Sequence, residues 1–192
     1  MDRIMGVITL KAPVYRQIAE DPAATKTAAI IVAIISIVRG FSEGLVKLDP
    51  NTGIVSTDFV RAVVGAVVVG ALGMVGWFVA AWILAFVAKM LGGKTNTQEM
   101  MRVTGYVAIF GIVSVLVLLI ALVPALVCLV GLMSFIIGIL SIIGYIIGVR
   151  EAAEFSTGKA IVAAIVAGIV NVIIVGTIGA LILGIVAPML GG

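Results

Sequence analysis

The chain has 192 residues, of which 63% are hydrophobic and 11% are charged, and its mean hydropathy is +1.38. A water-soluble domain of this length cannot bury so much apolar surface, so the composition predicts an integral membrane protein. Histidine is absent and Cys128 is the single cysteine, which leaves no internal disulfide, no cysteine metal cluster and no imidazole base. We therefore expect no metal, no cofactor and no enzymatic activity. The net charge of +3 is a topology signal in such a chain, and nucleic acid is not an expected partner.

The N-terminal segment, residues 2–20, places apolar side chains at helical spacing with basic residues between them and Pro13 as an interruption. This pattern predicts a short, broken amphipathic helix on the membrane surface, and a loosely ordered tail is the alternative. Asp21 and Pro22 then have the pattern of an N-cap followed by a first-turn proline. The first apolar run begins only near Ala28, so we expect no cleavable signal peptide.

Long apolar runs predict five transmembrane helices in one membrane domain that covers residues 1–192. The expected fold is an all-α bundle of these five helices with the short amphipathic helix at its N-terminal side. Residues 39–58 contain Gly40, Gly44 and a turn-forming sequence at 49–53, which predicts a helix break and the longest loop between spans. The predicted spans are residues 23–38, 59–91, 103–123, 126–149 and 160–186.

The polar stretch from Leu91 to Tyr106 separates two apolar runs and has the pattern of a tight helical hairpin. Gly92 and Gly93 suit the left-handed end of a helix, and Thr95 with Gln98 has the spacing of a capping box. Residues 150–159 form a second polar tip. These two tips carry most of the charge between the later spans.

The distribution of basic residues predicts the orientation in the membrane. The N-terminal segment and the two polar tips hold nine Lys and Arg residues, and the opposite side holds three. By the positive-inside rule we expect a cytoplasmic N-terminus, cytoplasmic tips and an external C-terminus. The nine residues are Arg3, Lys11, Arg16, Lys26, Lys89, Lys94, Arg102, Arg150 and Lys159, and the three are Arg39, Lys47 and Arg61.

Inside the predicted spans there is no charged side chain away from the ends, which disfavours a pump or a proton-coupled carrier. Asn171 is the most polar residue there, and an interhelical hydrogen bond is favoured over a place on a solute path. Small residues recur every three or four positions and let helices approach closely. Packing within one chain is favoured over a homo-oligomer, because a five-helix bundle must first pack against itself. The predicted packing positions are Gly144, Gly148, Gly176, Ala180 and Gly184.

The two tips carry a recognisable set of residues, Gly92, Gly93, Lys94, Gln98, Gly105, Tyr106, Gly158 and Lys159. This set resembles the Yip integral membrane domain, a family of five-span proteins. The family is named for eukaryotic members that interact with Ypt/Rab GTPases in membrane traffic. The chain has neither their long cytoplasmic extension nor their Asp-Leu-Tyr/Trp-Gly-Pro motif, so it resembles the compact prokaryotic members, which implies location in the cell membrane. Family members usually carry a proline after the Gly-Tyr pair, where Phe110 stands here.

Two functional hypotheses follow. The favoured one is a non-enzymatic membrane scaffold or adaptor in membrane organisation or trafficking, because charged and capping residues gather at the tips while the spans offer little to coordinate a solute. It would bind a cytoplasmic or membrane protein partner through its cytoplasmic loops. The alternative is a passive channel or carrier for a small solute, with its path near Asn171. The residues predicted to form a docking platform are Glu99, Arg102, Tyr106, Arg150 and Glu151.

Overall fold

The computed structural model of the chain describes residues 2–49, 52 and 54–186. Five helical segments in this part of the chain are long and apolar enough to cross a membrane. This confirms the predicted fold class, a bundle of five transmembrane helices. The elements in chain order are α1 Asp2–Ile8, α2 Ala12–Glu20, α3 Ala24–Leu45, β1 Val46–Leu48, β2 Val55–Thr57, α4 Phe59–Met90, α5 Thr97–Val107, α6 Val117–Leu122, α7 Val127–Ala153 and α8 Thr157–Val186.

The N-terminal segment forms two helices, which excludes the alternative of a loosely ordered tail. Pro13 lies in the first turn of α2, where a missing backbone N–H costs nothing, so it starts a second helix instead of kinking one. The apolar faces of both helices are turned towards the bundle, and Val7, Tyr15 and Ile18 have no exposed surface. The N-terminal helices therefore cover one end of the bundle, in contact with α5 and α7.

The first span is longer than predicted, because α3 continues to Leu45. Gly40 and Gly44 were expected to break this helix, and that prediction is wrong. A Cβ atom added at Gly40 would overlap the carbonyl of Gly65, and one added at Gly44 would lie 2.6 Å from the carbonyl oxygen of Arg61. The two glycines therefore let α3 and α4 approach closely, and this contact offsets the low helix propensity of glycine.

After α3 the chain forms a β-hairpin, where a loop was predicted. Strands β1 and β2 pair antiparallel, with Val46 opposite Thr57. Residues 50, 51 and 53 of the predicted turn lie outside the described residues. Asp58 then caps α4, since its side chain accepts a hydrogen bond of 2.9 Å from the backbone N–H of Arg61.

The third span begins at Thr97 and not at 103, because the capping box differs from the predicted one. Asn96 is the N-cap: its Oδ1 accepts from the backbone N–H of Glu99 at 3.0 Å, and Glu99 accepts from the backbone N–H of Asn96 at 3.2 Å. Asparagine is a stronger N-cap than threonine, so this box replaces the predicted pair of Thr95 and Gln98. The helix then tightens to 3₁₀ geometry over Ala108–Leu116 before α6 completes the span.

The bundle has two different ends. We call the end formed by α1, α2 and the loops 91–96 and 154–156 the polar end, and the end with the β-hairpin and residues 123–126 the hairpin end. Between the spans, the polar half is filled by a close-packed core that includes the fully buried Leu84, Met100, Val103 and Val149. In the other half a cavity lies between the helices.

Candidate functional site

The two polar tips of the sequence meet at the polar end. Helix α4 ends at Met90, and Gly92 follows it with a φ of +81°, a conformation that favours glycine. The next loop then docks on the end of α7: the backbone N–H of Lys94 donates to the carbonyl of Ala153 at 2.9 Å. Lys159 Nζ donates to the carbonyl of Leu91 at 2.7 Å. A Cβ at Gly93 would lie 3.1 Å from the Cβ of Ala153, so this position is also close to the junction.

Arg102 lies beneath this junction and is 6% exposed. Its NH1 donates to the carbonyl of Ala19 at 2.7 Å, its Nε donates to Thr25 Oγ1 at 2.8 Å, and its NH2 donates to Gln98 Oε1 at 3.3 Å. Ala19 belongs to the last turn of α2, where the exposed carbonyls of a helix favour a cation. Arg102 thus ties α5 to the end of α2 and the start of α3.

Tyr15 anchors α2 against α7. Its ring contacts the positions of Gly144 and Gly148, where a Cβ would lie 2.8 Å from the Tyr15 hydroxyl and 3.2 Å from its Cδ1. The hydroxyl donates to the carbonyl of Val7 at 2.9 Å, and burial raises the pKa of Tyr15 to about 12. These two glycines were predicted to pack helices together, and they make the groove that receives the tyrosine of α2.

Ion pairs hold the outer surface of the polar end. Arg3 pairs with Asp21 at 2.5 Å, and this hydrogen bond is the main reason that the pKa of Asp21 lies below its ordinary value. Arg16 pairs with Glu20 at 2.8 Å and with Glu154 at 2.6 Å. The second of these pairs joins α2 to the end of α7, where Glu154 has the left-handed φ of 53°.

The structure separates the residues of the predicted docking platform. Arg102 and Tyr106 are 6% and 4% exposed, so these two side chains offer no surface to a partner. Glu99 is engaged in the capping box. Arg150 NH2 pairs with Glu151 at 2.7 Å, and both side chains are partly exposed. The prominent exposed side chains at this end include those of Lys11, Lys89, Lys94 and Gln98.

The remaining predicted positions differ in their surroundings. A Cβ at Gly105 would lie 2.6 Å from the Cβ of Ala28, so α5 and α3 are in close contact there. No atom of the described residues lies within 4 Å of a Cβ added at Gly158 or Gly176, and Ala180 is exposed. Gly184 follows one turn later in α8. The small-residue stripe of the fifth span therefore lies on the outer face of the described bundle at Gly176 and Ala180.

A second candidate site is a cavity of 680 Å³ among α3, α4, α7, α8 and the third span. Asn171 lines it, and its buried Oδ1 has no hydrogen-bond partner among the described residues. The predicted interhelical hydrogen bond is thus not formed by this oxygen. Trp77 lies in the same wall, and its Nε1 donates to the carbonyl of Met101 and to Thr104 Oγ1, both at 3.1 Å. The cavity is formed where five helical segments meet, and sequence periodicity does not predict which helices are neighbours.

Five apolar helices, closed at one end by the chain's own N-terminal helices, define a multi-pass integral membrane protein. The family model of the Yip1 domain matches residues 5–188, and the chain belongs to this family. The resemblance drawn from the two tips is thereby confirmed over nearly the whole chain. Members of the family are not known as enzymes. No curated protein and no solved structure matches the chain.

Proposed function

We propose that the protein is a non-enzymatic membrane scaffold that binds an acidic protein partner at its polar end. The observation that carries this proposal is the convergence of the family's tip residues, from Gly92 to Lys94 and at Lys159, with the N-terminal helices. Hydrogen bonds of the loop 91–96 and the ion pair between Arg16 and Glu154 hold these segments together. A surface held by such contacts loses little conformational entropy when a partner binds.

The charge of this surface supports an acidic partner. Lys11, Lys89 and Lys94 are exposed, and none of them makes an ion pair among the described residues. Free cations on an ordered surface steer an acidic protein surface towards it and fix its orientation. The nine-to-three distribution of basic residues supports a cytoplasmic position for the polar end.

The test is cross-linking in native membranes, followed by purification and mass spectrometry. The double variant Lys89→Glu with Lys94→Glu should recover about tenfold less of the specific cross-linked proteins, because two like charges then face the partner. Its expression and melting temperature should equal those of the wild type. The matched control is Lys47→Glu with Arg61→Glu at the hairpin end, which should leave recovery unchanged. Equal recovery of cross-linked proteins by both double variants would contradict partner binding at the polar end.

The alternative function, a passive channel or carrier for a small solute, has one observation in its favour, the cavity beside Asn171. Flux of small solutes into proteoliposomes discriminates the two functions. Flux above that of empty liposomes, lost in a variant that fills the cavity, would favour the carrier. We favour the scaffold because the polar half of the bundle, around Met100 and Val103, is close-packed.

A further inference from the structure

The cavity in the hairpin half of the bundle has the form of a binding site. Arg39 and Glu43, near the hairpin end, line one part of it, and Asn171 lines it at mid-bundle. The residues that line it include none from α1 or α2, and beneath it Met100 and Val103 are fully buried in the core. A cavity of 680 Å³ that ends at mid-bundle falls in the range of about 300–1,000 Å³ for small-molecule sites.

A cleft between α7 and α8 lies beside this cavity, on the lipid-facing side of the bundle. The cleft has a volume of 520 Å³, and Ser141 and Tyr145 line both the cleft and the cavity. Its other walls are aliphatic, and its lining residues Ile142 and Ile165 are 62% and 56% exposed on the outer face of the bundle. An acyl chain therefore has an apolar cleft open to the bilayer, directly beside a polar pocket.

The polar groups around the pocket select an uncharged headgroup. Asn171, Ser141 and Tyr145 offer amide and hydroxyl groups, and the buried Oδ1 of Asn171 requires a hydrogen-bond donor. The charged side chains among the described lining residues are Arg39 and Glu43, and they pair with each other at 2.8 Å. A phosphate or carboxylate headgroup would find no unpaired cation in this wall, and an uncompensated charge at this depth is costly.

We propose that this cavity binds one lipid with an uncharged, hydroxyl-bearing headgroup, of the monoacylglycerol class. The headgroup hydroxyl hydrogen-bonds with the side-chain amide of Asn171 and lies beside Ser141 and Tyr145, while the acyl chain occupies the cleft between α7 and α8. The site is separate from the polar end, so it does not depend on the scaffold function.

The test uses the protein in phosphatidylcholine nanodiscs with a monoacylglycerol that carries a photoreactive diazirine in its acyl chain. Labelled peptides should map to the walls of the α7–α8 cleft, and unlabelled monoacylglycerol should displace the probe. Asn171→Leu should lower labelling about fivefold or more, since the headgroup loses a hydrogen bond inside the bundle. The matched control is Thr177→Val on the outer face of α8, where Oγ1 donates only to the carbonyl of Ile173 among the described residues. It should label as the wild type does.

Three results would overturn the proposal. Equal labelling of Asn171→Leu and the wild type would show that the polar pocket takes no part. If phosphatidylglycerol displaced the probe as strongly as monoacylglycerol does, the probe would be binding only at the lipid-facing surface. Displacement by free glycerol at the same concentration would assign the pocket to a water-soluble solute. If Asn171→Leu lowers the melting temperature, Tyr145→Phe replaces it, with the same loss of labelling expected.

Discussion

Arg102 shows how one residue changes role between sequence and structure. In the sequence it stands among polar residues at a tip, and a surface position is the natural interpretation. In the structure the Asn96 cap starts the third span earlier, which carries Arg102 into the helix, against the carbonyl of Ala19. Arg102→Glu would bury a carboxylate among these carbonyl and amide oxygens. That substitution would disturb folding, so it cannot report on partner binding alone.

Replacement of Arg102 should release the N-terminal helices. In Arg102→Met the carbonyl of Ala19 loses a charged donor at 2.7 Å, and we expect a loss of about 2–3 kcal/mol in the free energy of unfolding. Hydrogen exchange of residues 2–20 should accelerate in nanodiscs. The control is the exposed Arg61, whose change to Met should alter stability by less than about 0.5 kcal/mol. Unchanged exchange of the N-terminal helices in Arg102→Met would contradict this role.

Acid should loosen the same segment through Asp21. The pKa of Asp21 in the folded protein is lowered from its ordinary value of 3.8. The pair with Arg3 therefore contributes its stability above pH 3.8, and this contribution is lost as the pH falls through the lowered pKa. A spin label on Met5→Cys, in a Cys128→Ala background, should become more mobile below about pH 4. In Asp21→Asn the mobility should not change with pH over this range. A transition that persists in this variant would assign the effect to another group.

At the scale of elements, the close approach of α3 and α4 explains why the first span was predicted too short. Gly40 and Gly44 are spaced as in a packing motif, and this signal was present in the sequence. Their partners, Gly65 and Arg61, lie in the next helix, and sequence periodicity does not contain such contacts. Periodicity found all five spans because transfer of an apolar run into lipid is a local property. The contact of Arg102 with Ala19 joins residues 83 positions apart and could not be found in this way.

The α3–α4 contact predicts a specific sensitivity to a single methyl group. Gly44→Ala places a Cβ 2.6 Å from the carbonyl oxygen of Arg61, and overpacking of this kind costs about 1–3 kcal/mol. We expect a lower melting temperature in detergent. Gly131→Ala in α7 is the matched control, because no atom in the described part of the chain lies within 4 Å of the new Cβ. There the higher helix propensity of alanine should leave stability equal or raise it by up to about 1 kcal/mol. Equal melting temperatures for the two variants would contradict the close approach.

At the scale of the whole molecule, the two ends differ in charge, and this difference predicts the orientation. In a Cys128→Ala background, Lys94→Cys should react with a membrane-impermeant maleimide only after the cells are opened. Thr52→Cys, at an exposed position between the two strands in sequence, should react in intact cells. The physical reason is the excess of basic residues at the polar end. Labelling of Lys94→Cys in intact cells would reverse the orientation.

The 3₁₀ stretch Ala108–Leu116 links the length of the third span to the rotation of the helix that follows it. It contains nine residues, and it includes the buried Phe110. A 3₁₀ helix rises about 2.0 Å per residue and an α-helix about 1.5 Å, so α geometry over these residues would shorten the span by about 4–5 Å. The same change would rotate α6 by about half a turn relative to α5. Bilayer thickness, which acts on span length, would thus select the face that α6 presents to the β-hairpin.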